Sequence, residues 1–273
     1  MGRLDWNKTK TIFIVVFLIL NVFLYKLYLN RYNDALKVEA LSETSIEERL
    51  QADNIRFESN PVDTVNESYV SGNIRVYTNE ELKSIKNQTI EIVDTTKLVS
   101  TFEEPIALGN LENRANLNEF VSKHVFEGSS YELFEVDVEA KKAVFFQTIN
   151  KRQIFFNQNA RLIIYWNEDK EVYRYEETSL DEHVIFEQTE NLLTDEAAVE
   201  GLYKQNKIKP NSIIRSINLG YSTLVQLTET QVFAPTWWVR VELQDGTEED
   251  YFVNAVEGKI IEFNNELEEI DEE

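Results

Sequence analysis

The residue types that most often carry catalysis are scarce in this sequence, which has two histidines and no cysteine. His183 follows Asp181 and Glu182, and these three side chains are potential ligands of a metal ion. A metal site needs further ligands at defined spacing, however, and the neighbouring sequence supplies none. We therefore interpret this segment as an acidic, solvated loop. His124 lies on the apolar side of a predicted helix, where we expect a histidine at the edge of the core rather than a general base.

Motifs that mark the common enzyme classes are absent from the sequence. It contains no Gly-rich phosphate loop, no GxSxG, no HExxH and no CxxC. The 49 Asp and Glu residues leave room for a pair of catalytic carboxylates of the glycosidase type, but nothing singles out one pair. We predict a protein that is not an enzyme and that uses no cofactor and no metal.

Trp237 and Trp238 could form an aromatic recognition surface. Successive side chains of a strand point to opposite faces of the sheet, so we expect one ring in the core and the other, which we take to be Trp238, on the outside. An exposed ring is suited to stacking on a carbohydrate or to a protein contact. Ordinary exposure also explains it, and we favour that interpretation.

The rest of the chain follows an apolar segment at residues 11–29. Its first part, up to Tyr25, carries no charge and spans about 22 Å as a helix. Continuation to Leu29 gives about 28 Å, close to the ~30 Å hydrocarbon core, if Lys26 extends toward the headgroups. We predict one membrane-spanning helix. A cleaved signal peptide is disfavoured because small residues do not follow the apolar core, and hydrophobicity on all sides argues against a buried helix of a soluble protein.

Charge predicts the orientation of this helix. The first 31 residues carry five basic and one acidic side chain, so the remaining chain has a net charge of −26 within a total of −22. Basic residues favour the cytoplasmic side of a membrane. We predict a single-pass protein of the cell membrane, with a cytoplasmic N-terminus and with the bulk of the chain extracytoplasmic. The acidic surface repels phosphate backbones, so we expect no nucleic-acid partner.

Asn21 places a polar amide inside the apolar segment. Such a group costs free energy in a bilayer unless it finds a hydrogen-bond partner, which a neighbouring helix can provide. A position near the outer leaflet would instead make a solitary Asn tolerable. Both explanations remain open at this point.

Periodicity divides the chain after residue 54 into two similar parts. Apolar spacing predicts an amphipathic helix at about residues 111–126, and Thr194 is expected to cap a second helix that ends at Pro210. Strand-like runs surround both helices. We predict an α+β fold of two modules, each with helices that cover one face of an antiparallel sheet. Strands are predicted at 55–57, 69–70, 74–77, 90–93, 131–138, 143–149, 153–156, 160–166, 172–177, 213–219, 223–227, 231–233, 237–243, 250–254 and 259–263.

These elements lead to six predicted segments. The segment before the modules is interpreted as a stalk with a short helix after Ser45, since it has too few heptads for a coiled coil. The segments are a cytoplasmic tail (1–10), a transmembrane helix (11–29), the stalk (30–54), a first α+β module (55–190), a second α+β module (191–263) and an acidic tail (264–273).

Both ends of the sequence resemble the YycI (WalI) family. The N-terminal similarity covers residues 5–14 (DWNKTKTIFI) and 20–24 (LNVFL), and the C-terminal similarity covers 233–238 (FAPTWW) and 251–258 (YFVNAVEG). Residues 254–260 (NAVEGKI) also resemble the closing hairpin of PepSY-type modules, which are small α+β units linked to regulation at the cell envelope. This second resemblance agrees with the predicted fold.

The resemblance implies a regulatory function. Members of the YycI family are single-pass proteins of low-GC Gram-positive bacteria that act with a related protein, YycH, on the sensor histidine kinase WalK (YycG), whose regulon controls cell-wall metabolism. Contacts between membrane helices are important for this function, and the ectodomains assist. The expected contact residues on the helix are Phe13, Val16, Phe17, Leu20, Asn21 and Leu24, with Trp238 as an ectodomain contact. The alternative is an extracytoplasmic binding module for a cell-wall polymer or peptide, which the helix only tethers.

Overall fold

The structure, a computed structural model, describes residue 10 and residues 13–27, 45–57, 66–110 and 113–263. The predicted acidic tail and most of the predicted stalk and cytoplasmic tail lie outside these residues, as do both ends of the predicted transmembrane helix. Contacts divide the chain into two units, Met1–Asp53 and Asn54–Glu273. Helices and strands together form a mixed α+β fold that is rich in sheet.

The first unit contributes two helices. Helix α1 is described at residues 13–27, and helix α2 covers Ile46–Ala52. The Ser45 hydroxyl accepts a hydrogen bond from the Glu48 backbone N–H at 3.3 Å, so the predicted cap of α2 is confirmed. Within the described residues, no helix is both long enough and apolar enough to cross a membrane.

The second unit contains the strands and the other two described α-helices, α3 (Arg114–His124) and α4 (Asp195–Lys204). Its strands are β1 (Arg56–Phe57), β2 (Asn66–Ile74), β3 (Gln88–Val93), β4 (Lys97–Ala107), β5 (Tyr131–Asp137), β6 (Lys142–Ile149), β7 (Arg152–Phe155), β8 (Arg161–Trp166), β9 (Glu171–Thr178), β10 (Leu180–Asn191), β11 (Ile213–Gln226), β12 (Thr230–Glu242), β13 (Glu248–Asn254) and β14 (Ile260–Ile261).

One sheet has the strand order β5-β6-β8-β9-β4-β3, and all its neighbouring strands are antiparallel. Helix α3 supplies Leu117, Phe120 and Val121 to the same buried core as these strands. The imidazole of His124 lies 4.9 Å from the Phe120 ring, between centroids, and is only partly buried. The prediction of an amphipathic helix with a histidine at the edge of the core is therefore confirmed.

The other sheet is built around the β11–β12 hairpin. One edge of β12 pairs with β11, and its other edge pairs with β2 at residues 230–233 and with β13 at residues 236–242. Strand β10 extends the sheet beyond β2, and β14 extends it beyond β13. The free edge of β11 carries β1 and β7, both parallel to it. Because β7 also pairs with β6, the two sheets are continuous.

Pro235 lies inside β12, although the sequence pattern suggested two separate strands around it. Proline has no N–H to donate to a ladder. It is located where the neighbour of β12 changes from β2 to β13, so the missing donor interrupts neither ladder. Its carbonyl oxygen accepts a hydrogen bond from Ala255 N at 2.9 Å. The predicted strands 231–233 and 237–243 are therefore one strand.

The second sheet takes strands from both predicted modules. Strand β2 and all but the last residue of β10 lie between residues 55 and 190, yet these strands pair with each other, and β2 also pairs with β12. Local periodicity identifies a strand but not its distant partner, because pairing depends on side-chain packing across the sheet. The module boundaries stay a prediction, whereas the contiguous assignment of strands to sheets is wrong.

The prediction of an acidic loop at Asp181–His183 is also wrong, because these residues belong to β10. The register of β10 against β2 shifts between Asp181 and Val184, and Glu182 has a left-handed backbone (φ 49°). This bulge interrupts the alternation that marks a strand in the sequence. The charges have protein partners: Asn73 Nδ2 donates to Glu182 Oε2 at 2.7 Å, and Arg75 Nη1 lies 3.6 Å from Asp181 Oδ1.

Glu177 in β9 is a completely buried carboxyl group. Its Oε1 accepts hydrogen bonds from the hydroxyls of Tyr77 at 3.1 Å and Tyr131 at 3.4 Å, whereas Oε2 has no partner among the described residues. Burial raises the pKa of Glu177 to about 8, against the opposing effects of the tyrosine hydrogen bonds and of Arg75. The folded protein therefore holds this carboxyl largely protonated at neutral pH.

We predict that Glu177 makes the protein less stable as the pH rises from about 5 to 8. The unfolded chain releases this proton near pH 4.5 and the folded chain only near pH 8, so the folded state binds more protons in this interval. The free energy of unfolding should fall by on the order of 4 kcal/mol across it. Urea unfolding at several pH values measures this effect, and Glu177→Gln, which cannot ionise, should lose it.

Glu119→Gln is the matched control. This glutamate is exposed on α3 and forms an i,i+4 ion pair with Lys123, so its replacement should leave the pH dependence close to that of the wild type. An undiminished fall in stability in Glu177→Gln would show that another group causes it.

Candidate functional site

A cleft of about 570 Å³ opens beside Trp238, and it is lined by residues of α3, β5, β7, β11 and β12 and of the turn before β7. Two cross-strand pairs, Ser216 with Arg240 and Asn218 with Trp238, contribute to its lining. Close approach of β7 and β11 shapes one wall. A Cβ on Gly220 would lie 2.5 Å from the Phe155 ring and 2.6 Å from the Gln153 carbonyl oxygen, so only glycine fits there.

Both tryptophans are buried, with 1% of Trp237 and 6% of Trp238 exposed. The expectation that the Trp238 ring points freely outward is therefore wrong. Alternation places it on the opposite face from Trp237, but a second layer of phenylalanines covers that face, and the ring centroids of Phe134 and Phe155 lie 5.0 and 5.6 Å away. The indole Nε1 donates to Asp250 Oδ1 at 2.7 Å. Any contact role of Trp238 stays a prediction.

Arg114, in the first turn of α3, supports an irregular part of β5. The register of β5 against β6 shifts between Leu133 and Glu135. At this shift the Arg114 guanidinium donates to the carbonyl oxygens of Leu133 and Phe134, at 3.4 Å for the latter. These acceptors are neutral, so they satisfy donors of Arg114 without compensating its charge.

Two other guanidinium groups of the cleft have carboxylate partners. Arg152 Nε donates to Glu67 Oε2 at 2.7 Å. Arg240 makes a bidentate pair with Asp250, with both nitrogen–oxygen distances at 2.9 Å, and its guanidinium carbon lies 4.9 Å from the Trp238 ring centroid. The hydrogen bond to Asp250 is the main reason that the pKa of Arg240 is raised. Both arginines are therefore held in place and largely neutralised.

The arrangement is suited to binding an anion or a hydrogen-bond acceptor. The polar groups of the cleft are mainly cationic or amide donors, and the hydrogen bonds of its lining show no nucleophile activated by a base. Among the described residues, no group of three or more His, Asp or Glu side chains is placed to hold a metal ion. His183 packs beside Gly72, and burial lowers its pKa.

The helix residues expected to bind partners form two adjacent stripes on α1. Phe13, Phe17 and Asn21 follow one another at four-residue spacing, as do Val16, Leu20 and Leu24, so each set lies along one side of the helix. The first stripe lines a shallow apolar surface together with Ile14, Leu18, Val22 and Tyr25. All six side chains are exposed, the apolar ones by 48 to 71%.

A second apolar surface, on β10, was missed by the sequence analysis. Val184, Ile185 and Phe186 are 53, 49 and 39% exposed, although they are consecutive apolar residues in a strand. Among the described residues β10 pairs only with β2, so it is an edge strand. The short apolar run between Glu182 and Glu187 could have predicted this surface, but the bulge breaks the alternation by which a strand is recognised in a sequence. We call these three residues the β10 patch.

The comparisons with known proteins identify the family. No curated protein matches the sequence significantly. A structure of an uncharacterized protein from Eubacterium rectale has a TM-score of 0.46 and 13% identity, covering 78% of this chain and 92% of that one. The C-terminal domain of YpeB from Bacillus megaterium has a TM-score of 0.41 and 14% identity, covering 70% and 100%. At these values neither structure informs the function.

The match of the sequence to a family model is more informative than these two structures. The family model described as "YycI protein" matches residues 34–256. This match covers most of the chain, including the second unit almost entirely and the residues that form the cleft and the β10 patch. It also includes the C-terminal segment 233–238 and residues 251–256 of the segment 251–258, from which the resemblance was inferred. The protein therefore belongs to the YycI family.

Proposed function

We propose that this protein is a non-enzymatic accessory regulator of a WalK/YycG-type sensor histidine kinase and that it acts together with a YycH-type membrane protein. Membership of the YycI family carries this proposal, because the family implies regulation of the YycG/WalK system that controls cell-wall metabolism. In this proposal the chain transmits its effect through a membrane helix and through contacts of the second unit.

The membrane helix is residues 11–29. Its described part, α1, is helical and exposes large apolar side chains on all sides, as a helix surrounded by lipid does. The basic residues before it favour a cytoplasmic N-terminus, and the acidic chain after it favours an extracytoplasmic second unit at the cell membrane. The lipid bilayer is thus one of the partners.

Regulation in this proposal occurs through lateral packing of α1 against helices of the kinase and of the YycH-type protein. The stripe of Phe13, Phe17 and Asn21 supplies two large apolar side chains and one amide, and an amide in lipid gains from a hydrogen bond across helices. A coupling free energy of about 1–3 kcal/mol would change the ratio of kinase signalling states about 5- to 150-fold.

The β10 patch supplies the extracytoplasmic contact. Three consecutive apolar side chains on an edge strand are exposed to an extent that marks a contact surface or an aggregation liability. Carboxylates flank the patch, with Glu182 before it and Glu187 after it. A partner surface that is apolar at its centre and basic at its rim would complement it.

We predict that the order of residues on α1 determines partner recovery. Scrambling residues 11–29 at constant composition preserves hydrophobicity but removes the stripe, so co-purification of the kinase and the YycH-type protein from detergent-solubilised host membranes should fall. Asn21→Leu should reduce recovery several-fold if its amide is bonded across helices. Ile19→Leu is the control, because Ile19 lies on the side of α1 away from Phe17. Wild-type recovery with the scrambled helix would contradict a function of helix packing.

We predict a separate effect of the β10 patch. Replacement of Val184, Ile185 and Phe186 by Ser should lower recovery of the YycH-type protein several-fold while the native helix is present, because apolar contact area is lost. Since these side chains already expose 39 to 53% of their surface, thermal stability should fall less than it does on truncation of core residues. Val138→Ser, 62% exposed after β5 in the other sheet, is the control. Equal recovery in the patch variant and the control would exclude the patch as the contact.

A further inference from the structure

The cleft beside Trp238 has the opposite charge balance from the rest of the protein. Four of the five charged residues that line it are basic, whereas the whole chain has 27 basic and 49 acidic residues. The lining cations are Arg114, Lys151, Arg152 and Arg240, and the one carboxylate is Glu132. A basic concavity in an acidic protein attracts anions in preference to the surrounding surface.

Two of these four cations form no ion pair with a carboxylate of the described residues. Carboxylates outside the lining neutralise Arg152 and Arg240, as described above. Arg114 and Lys151, in contrast, have no carboxylate within 4 Å among the described residues, and Arg114 makes only its bonds to carbonyl oxygens. Their charges are therefore less fully neutralised than those of Arg152 and Arg240, and they can act on a ligand.

Arg114 and Arg240 also repel each other electrostatically. The pKa of Arg114 is lowered, first by burial and second by the positive charge of Arg240. Acidic groups nearby (Glu132, Glu248 and Asp250) act in the opposite direction. Arginines that repel each other in a partly buried site are stabilised when an anion binds between them.

Neutral groups complete the cleft. The side-chain amide of Asn218 makes no hydrogen bond within the described part of the chain and is exposed next to Trp238, its partner across the β11–β12 ladder. Trp238 and Phe155 also line the cleft, with 6% and 1% of their surfaces exposed. A volume of about 570 Å³ is within the range of small-molecule sites.

We propose that this cleft binds a small ligand that carries one oxyanion, a phosphate or a carboxylate, on a sugar-sized or polyol-sized body. Arg114 and Lys151 contact the oxyanion, Asn218 donates a hydrogen bond to it or to a neighbouring hydroxyl, and the body occupies the rest of the cleft. Glu132 disfavours ligands with more than one anionic group. Phosphate and carboxylate share this recognition chemistry, and the experiment below distinguishes them. The inference does not depend on the proposed kinase regulation.

Isothermal titration calorimetry on the purified full-length protein tests the proposal at physiological salt. The probes are glycerol 1-phosphate for the phosphate and glucuronate for the carboxylate, with neutral glycerol and glucose as matched controls. Saturable binding of one or both anions, without binding of the neutral compounds, is expected. The tighter anion identifies the source of the oxyanion. If neither anion binds saturably, the proposal is overturned.

Variants locate the binding. Lys151→Gln should weaken it roughly 10-fold, the loss expected for one charge-assisted hydrogen bond. Asn218→Ala should weaken it less. Lys151 and Asn218 are exposed, so their replacement should leave the folded state intact. The test therefore holds even if Arg114→Gln destabilises β5. Lys123→Gln, an exposed lysine on α3, is the charge-matched control and should bind as the wild type does. Equal weakening by Lys123→Gln and Lys151→Gln would indicate unspecific charge attraction and overturn the proposal.

Discussion

The ladder between β11 and β12 is the interaction on which the rest of the second unit depends. β2 and β13 pair with one edge of this hairpin, and β1 and β7 pair with the other. A strand has only two edges, so this shared use is possible because each neighbour covers only part of the hairpin's length. Pro235 marks the point at which one neighbour of β12 gives way to the next. The second sheet is therefore assembled from distant segments by a hairpin that is itself local in sequence.

The same hairpin places the groups that could bind a ligand. Residues at alternate positions of β11 and β12 face the cleft as cross-strand pairs, and β7 joins them because Gly220 allows Phe155 to approach. The carboxylates of Asp250 and Glu67 come from β13 and β2, two other strands that belong to this sheet. Charge in the cleft is thus controlled by sheet topology rather than by the acidic average of the chain. An acidic protein can in this way contain a cationic site.

Regulation by this protein fits a structure whose described residues offer apolar contact surfaces. The family relates the chain to the YycG/WalK system, and the described residues present two apolar surfaces of different kinds. One is a helix that is exposed on all sides. The other is a short run on an edge strand with acidic flanks. An apolar helix associates by packing and by buried polar contacts in lipid, whereas an edge patch gains from removal of apolar area from water. The helix is therefore suited to a partner within lipid, whereas the β10 patch is suited to a partner in water.

The sequence by itself determined the family, the α+β class, helix α3 with His124 at the edge of its core, and most strands of the meander, because these depend on local periodicity and capping. Only the tertiary structure decided that β2 and β10 join the second sheet, that β12 continues through Pro235, and that His183 belongs to a strand. It also decided that Trp238 is buried, since alternation assigns a face but does not show whether a second layer covers that face. The cationic cleft had no sequence signal at all. Its residues are separated by up to about 130 positions in the chain and converge only because strand pairing, which follows from packing between distant segments, brings them together.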